Sequence, residues 1–426
     1  MGVFTRATAS RSRTRTATLS GLAFLGASAL VLTGCSAPGG GDGGGNEPPA
    51  GDLTLKIGTQ LPQTGNLAFL GPPEEAGVGL AAKEINDADL GIEIDVEYGD
   101  SGDTDNKAYA TEVPRLLQAG VSAIIGAASS GVTKLFIDEV TGAGVINFSP
   151  ANTSADFTTW DDNGLFWRTA PSDVLQGEVL GNLIAEDGKE TLGILYLNDS
   201  YGTGLAQFTT EAFEAAGGEV VEEQSYNTGD TSFDAQISAL TAANPDAIAL
   251  IAFEETKTIV PALSGYPAEN LYFVDGNLAD YSADFPAGTL TGAKGTLPGL
   301  DTASLGDFTD RLQEFWQGEG NDELKDFSYA AESYDAVVLI ALAAMVAGST
   351  EGADIAEKLQ EVSGGAGEGE KCGTFTECAE LINEGTTVDY DGNSGPITFD
   401  ENGDPTEATI GIFQYLEDNT YERIAN

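Results

Sequence analysis

The sequence predicts an α/β protein with two similar lobes, each a parallel sheet wound with helices, and a ligand cleft between them. Three observations predict this. Apolar runs of strand length alternate with segments of helical period along most of the chain, the pattern of parallel sheets crossed by helices. The stretch Ile124-Ile125-Gly126-Ala127-Ala128-Ser129-Ser130-Gly131 reads as a buried strand, a small-residue turn and a helix start. Residues 115–127 read as helix, turn, strand, turn, and residues 238–252 repeat that order at nearly equal spacing. Two related halves that face each other enclose a cleft, with both turns at its mouth.

Composition narrows the function. The 426 residues allow two or three domains, and 41% hydrophobic residues suffice for sizeable cores. The net charge is −50. Such a surface repels nucleic acid and anionic membranes, so no nucleic-acid partner is expected. There is no histidine, which removes the commonest general base and zinc ligand. No cofactor or metal is expected, and the chain is expected to be a monomer.

Residues 1–34 read as an export signal. Arg6, Arg11, Arg13 and Arg15 precede an apolar run from Leu19 to Leu32, which is short for a membrane span. Leu32-Thr33-Gly34-Cys35 resembles the lipobox of bacterial lipoproteins, so Cys35 is the expected lipid attachment site. More than one acyl chain there suffices for stable anchoring to the outer face of the cell membrane. Residues 35–51 follow as the lipidated cysteine and a Gly/Pro-rich tether. Sixteen such residues reach roughly 20–24 Å.

The first lobe is expected over residues 52–172 and 299–405. Leu53-Thr54-Leu55-Lys56-Ile57-Gly58 alternates as a first strand. A helix follows over 74–87 with Ala76, Leu80, Ala81 and Ile85 inward, then a strand over 92–98 and a helix over 106–118. The central strand comes next, and the helix from Ser130 should turn Val132, Leu135, Phe136 and Val140 inward. Its free N–H groups and dipole favour an anion. Residues 144–154 give a further strand and polar turn beside that of Ser129, at the point where ligands bind in doubly wound sheets.

The second lobe is expected over 173–298 and 406–426. It opens with a helix over 176–186, a strand over 191–197 and a helix over 204–216. Strands near 219–225, 247–252 and 271–274 follow. The chain should return to the first lobe near Gly299, where a helix over 329–345 is apolar on most sides and should be buried. Cys372 and Cys378 lie in an expected loop, and in an exported chain a disulfide is their natural reading. The alternative, a metal pair, has no histidine or third cysteine nearby. Residues 389–395 superficially suggest a calcium loop but lack its full ligand spacing, so an ordinary turn is expected.

Several residues in order carry a resemblance: Thr64-Gly65, Glu84-Ile85-Asn86, Ile125-Gly126 with Ser129, Ser149-Pro150-Ala151-Asn152-Thr153, and Asp199-Ser200-Tyr201-Gly202. The chain resembles type I periplasmic binding proteins of the leucine/isoleucine/valine-binding family of ABC importers, in lipoprotein form. That resemblance implies two Rossmann-like lobes, a small amino-acid ligand and a membrane permease as partner. It places Ser129, Ala151 and Thr153 at the ligand carboxylate and Asp275 at its ammonium. Tyr201 and Phe253 line the pocket, and Phe69 covers the ligand. An aspartate stands at position 275 where many relatives carry glutamate, and Phe253 replaces a frequent tyrosine.

Other readings stay open. The same fold accommodates a short amide, urea or an aromatic acid, and the same site serves a surface sensor as well as an importer. The turn at Ser129 mimics a nucleophile elbow. A serine nucleophile needs an activating base, which without histidine would have to be a lysine such as Lys134. The chain is therefore expected not to be an enzyme.

Overall fold

The computed structural model describes residues 53–301, 304–367 and 369–425. The expected signal peptide, the Cys35 lipid site and the tether over 35–51 lie outside the described residues.

The first sheet is built from β1 (Leu53–Gln60), β2 (Ile92–Glu97), β3 (Ala123–Gly126), β4 (Ile146–Ser149) and β5 (Phe166–Arg168). They pair in the order β2-β1-β3-β4-β5, all parallel. The helices between them are α1 (Gly71–Ala88), α2 (Tyr109–Ala119), α3 (Ser130–Thr133) and α4 (Ile137–Gly142). Pro72 and Pro73 open α1, where a missing N–H costs nothing. Gly120 closes α2 at φ 75°, with its N–H on Leu116 and Leu117 carbonyls.

The second sheet follows with α5 (Asp173–Glu186), β6 (Thr191–Leu197), α6 (Ser200–Ala215), β7 (Glu219–Tyr226), α7 (Asp234–Ala243), β8 (Ala247–Ile251), α8 (Thr256–Ala262), β9 (Leu271–Phe273) and β10 (Lys294–Pro298). Its parallel part runs β7-β6-β8-β9-β10. This is the order of the first sheet, so the repeat at 115–127 and 238–252 corresponds to the third strand of each sheet with its preceding helix.

Past Gly299 the chain forms α9 (Phe308–Gly318), α10 (Ala330–Ala347), α11 (Gly352–Val362), β11 (Glu370–Cys372), α12 (Phe375–Asn383), β12 (Val388–Gly392) and β13 (Gly395–Pro396). Finally β14 (Ile410–Tyr415) and β15 (Tyr421–Ala425) extend the second sheet antiparallel from β10. Helix α10 is long and apolar enough to cross a membrane, yet it is buried in the first lobe's core against α1, β1 and β3. The three crossings between sheets fall after β5, at Gly299 and between β13 and β14. Buried Arg168 ties two of them: Nε and Nη2 donate to Asp404 at 2.6 and 2.9 Å, a bidentate pair.

Three expectations need correction. The single helix from Ser130 is two short ones, and Leu135 between them is 51% exposed. Val132, Phe136 and Val140 pack in one apolar cluster while Ile137 packs in another with Phe157 and Phe166, and the break lets the chain serve both. The cysteines are not in a loop: Cys372 ends β11 and Cys378 lies in α12, joined by a disulfide. The 389–395 segment is β12 and a turn whose Asn393 and Ser394 N–H groups donate to buried Asp335.

Candidate ligand site

The C-terminal ends of both sheets face each other, the place where open α/β sheets bind ligands. From the first sheet come Ala128, Ser129 and Ser130 after β3, Ala151 and Thr153 after β4, and Leu67 and Leu70 from the loop after β1. Tyr201 comes from the first turn of α6, Phe253 from the end of β8, and Asp275 and Gly276 from the end of β9. Tyr329, just before α10, completes the wall. Six of the seven residues singled out in the sequence therefore share one cavity: Ser129, Ala151, Thr153, Tyr201, Phe253 and Asp275. The seventh, Phe69, does not line it. It lies in a separate surface depression with Pro72, Pro73 and Trp316 from the first lobe and Ala279, Asp280, Ser282 and Ala283 from the second. Leu67 and Leu70 stand where Phe69 was expected.

The turns after β3 and β4 are held by their carbonyls. Asn152 Nδ2 donates to Ala127 and Ala128 carbonyls at 2.9 Å each, and Ser149 Oγ donates to Ala127 at 2.7 Å. Arg168 Nη1 donates to the Asn152 and Ser154 carbonyls at 3.2 and 2.8 Å. With the carbonyls drawn back, the N–H groups of Ser129 and Thr153 have no acceptor among the described residues. The Ala151 N–H differs from expectation, since Ser149 Oγ accepts it at 3.2 Å. Ser129 Oγ caps α3 by accepting from Val132 N at 3.3 Å. Lys134, the candidate base for that serine, pairs instead with Asp156 and lies over the Trp160 ring.

Opposite these donors, Asp275 is 6% exposed. Its Oδ1 accepts from Tyr201 Oη at 2.6 Å and Gln176 Nε2 at 3.1 Å, and its Oδ2 from Tyr329 Oη at 2.8 Å. Burial raises its pKa and these donors offset part of the rise. Asp173, fully buried nearby, is raised well above its ordinary value, first by burial and then by Asp275, with Thr153 and Arg168 acting in the opposite direction. No lysine or arginine lines this cavity. The cavity thus offers backbone donors on one wall and a buried carboxylate on the other. Tyr201 and Phe253 stack at 5.4 Å and form an apolar side.

The lobes touch across the cleft. Tyr329 follows the first lobe's return segment and reaches Asp275 in the second. Asn66 Nδ2 donates to Glu255 Oε1 at 3.0 Å, and the Glu254 N–H donates to the Asn66 carbonyl at 3.2 Å. Glu255 is thus a cross-cleft contact, while Glu254 pairs with Lys257. The cavity is correspondingly tight, about 10 Å³, the room of a single water.

Sequence reasoning missed Leu67, Leu70, Tyr329 and Gln176. Tyr329 adopts φ 59°, uncommon for a non-glycine residue, and such strain gathers at functional sites. That signal exists only in the folded backbone.

A two-lobed fold with the site between facing sheet ends defines a solute-binding protein. The chain belongs to the periplasmic binding protein family, whose model matches residues 54–419. Its fold is the type I form, and membership implies an extracytoplasmic location. A leucine-, isoleucine-, valine-, threonine- and alanine-binding protein of Pseudomonas aeruginosa is 32% identical over 191 residues, 44% of this chain and 50% of that protein. The chain thus aligns with half the length of that relative. A chemotactic signal transduction system substrate-binding protein of Halobacterium salinarum is 25% identical over 80% of this chain and 83% of its own. The solved structure of a branched-chain amino acid transporter substrate-binding protein from Streptococcus pneumoniae, in complex with isoleucine, has a TM-score of 0.70 at 23% identity. It covers 88% of this chain and 100% of that one.

Proposed function

We propose that this protein is the extracytoplasmic substrate-binding lipoprotein of an ABC importer, anchored through Cys35, and that it carries a branched-chain or similar small α-amino acid to a membrane permease. The observation that supports this most is the opposition of Asp275 to the N–H groups of Ser129 and Thr153 across one small apolar cavity. A zwitterion matches both walls, and burying either of its charges unpaired would be costly. The carboxylate lies on the N–H groups after β3 and β4 with Ser129 and Thr153, beside Ala151. The ammonium meets Asp275, and the side chain rests on Tyr201, Phe253, Leu67 and Leu70.

The present cavity is too small for leucine, so the ligand binds with the lobes parted and they close over it. No covalent step is involved. The permease reads the closed form. Residues 52–426 should gain about 2.7 kcal/mol of stability with leucine, isoleucine or valine at 100 times the dissociation constant, measured by thermal shift. Stabilisation by amides, urea or aromatic acids alone would overturn the amino-acid assignment. A sensor role has one specific support, the chemotactic relative, and deletion of this protein's own gene distinguishes it: uptake is lost for an importer and kept for a sensor.

A further inference from the structure

Asp173 is a buried ionisable group beside the cleft that ligand contacts alone leave without a task. It opens α5 directly after the first crossing between the sheets, and its side chain is fully buried. Its N–H donates to the Thr153 carbonyl at 2.7 Å, which fastens it to the turn that lines the first-lobe wall. No donor meets either carboxylate oxygen at hydrogen-bonding geometry. Asp275 differs, because three side-chain donors hold its charge.

The surroundings decide which of the two keeps a proton. Asp275 and Asp199 both oppose a charge on Asp173, and Tyr201 and Tyr329 lie close enough to feel one. The nearby cation, Arg168, is engaged by Asp404 and by the Asn152 and Ser154 carbonyls. Where two buried carboxylates oppose each other's charge, the one with donors ionises and the other stays neutral. Asp173 is the neutral one, and a neutral carboxyl group is a hydrogen-bond donor. The Thr153 hydroxyl lies beside it. That hydroxyl has one proton. An ionised Asp173 would claim it, whereas a protonated Asp173 donates to the hydroxyl oxygen and leaves the proton free for the cavity.

We propose that Asp173 is a positioning residue of the ligand site: its protonated carboxyl group donates to Thr153 Oγ and so turns the Thr153 O–H toward the ligand carboxylate. This rests on the reading that a carboxylate lies at Thr153.

Calorimetry with leucine, isoleucine and valine tests it. Thr153→Val should weaken binding about 10-fold, the worth of one hydrogen bond. Asp173→Leu, similar in shape but unable to donate, should weaken it by the same factor. Asp173→Asn, whose amide still donates, should recover most of that loss. Asp173→Leu combined with Thr153→Val should lose about 10-fold rather than about 100-fold, because both changes delete one relay. Infrared difference spectra give a readout that needs no substitution at the buried position. The liganded protein should show a protonated carboxylic acid C=O band that moves to higher frequency in Thr153→Val. Additive losses, unchanged affinity in Thr153→Val, or an acid band that Thr153→Val leaves in place would overturn the proposal, while binding by the wild type keeps the cleft reading. No binding of any of the three amino acids by the wild type would end both.

Discussion

Asp275 and Tyr329 concentrate the chemistry of the cleft. The carboxylate is held by three side-chain donors, and one of them, Tyr329, belongs to the opposite lobe. Asp275→Ala should weaken amino-acid binding at least 100-fold by calorimetry, the order for removing a buried charge partner. Tyr329→Phe keeps the ring and deletes one donor, so a loss of about 10-fold is expected. Intact binding in Asp275→Ala would place the ammonium elsewhere. Glu332 carries a pH dependence. Burial, with a smaller contribution from Asp335, pushes its pKa to about 8 against an ordinary 4.5. The folded state then retains a proton that the unfolded state has released. Stability therefore falls as pH rises from 4.5 to 8, by up to about 1.4 kcal/mol per pH unit for this group. Glu332→Gln should flatten that slope and unfold at higher denaturant than the wild type at pH 8. At this scale the sequence was informative where a residue follows a strand end. Ser129 was found because a strand period points to its own terminus, whereas Thr153, Phe253 and Asp275, which also follow strand ends, were placed by the family resemblance. Leu67, Leu70 and Tyr329 come from irregular segments, whose path depends on tertiary contacts that no period encodes.

Among elements, the alternation of strands and helices was readable because parallel strands are buried on both faces and stand out as short apolar runs. The strand Thr191–Leu197 matches its expected limits, and α10 was recognisable from apolarity on most sides. The break between α3 and α4 was not readable. Val132, Phe136 and Val140 fit one helical face, and only the competing demand of Ile137 interrupts it. The disulfide was expected from cysteine spacing, but β11 and α12 around it were not. It staples them in the first lobe, remote from the cleft. Its reduction should cost about 2 kcal/mol in the chain-entropy model. Denaturant unfolding with and without dithiothreitol checks this, and amino-acid affinity should not change.

For the whole molecule, the two sheets share one strand order, and this correspondence was partly visible in the 115–127 and 238–252 repeat. What the repeat could not convey is how far the halves approach. The contacts of Asn66 with Glu254 and Glu255, and of Tyr329 with Asp275, depend on the relative pose of the lobes, to which neither half's pattern refers. The surface depression that holds Phe69 also spans both lobes, and Trp316 lines it together with Ala279, Asp280, Ser282 and Ala283. The chain has only three tryptophans, and Trp160 and Trp167 sit within the first lobe. Parting the lobes would expose more of the half-buried Trp316 indole and leave the surroundings of Trp160 and Trp167 as they are. The protein thus carries a built-in optical gauge: its emission should shift to the blue on addition of a cleft ligand, and Trp316→Phe should abolish the shift while leaving binding in place.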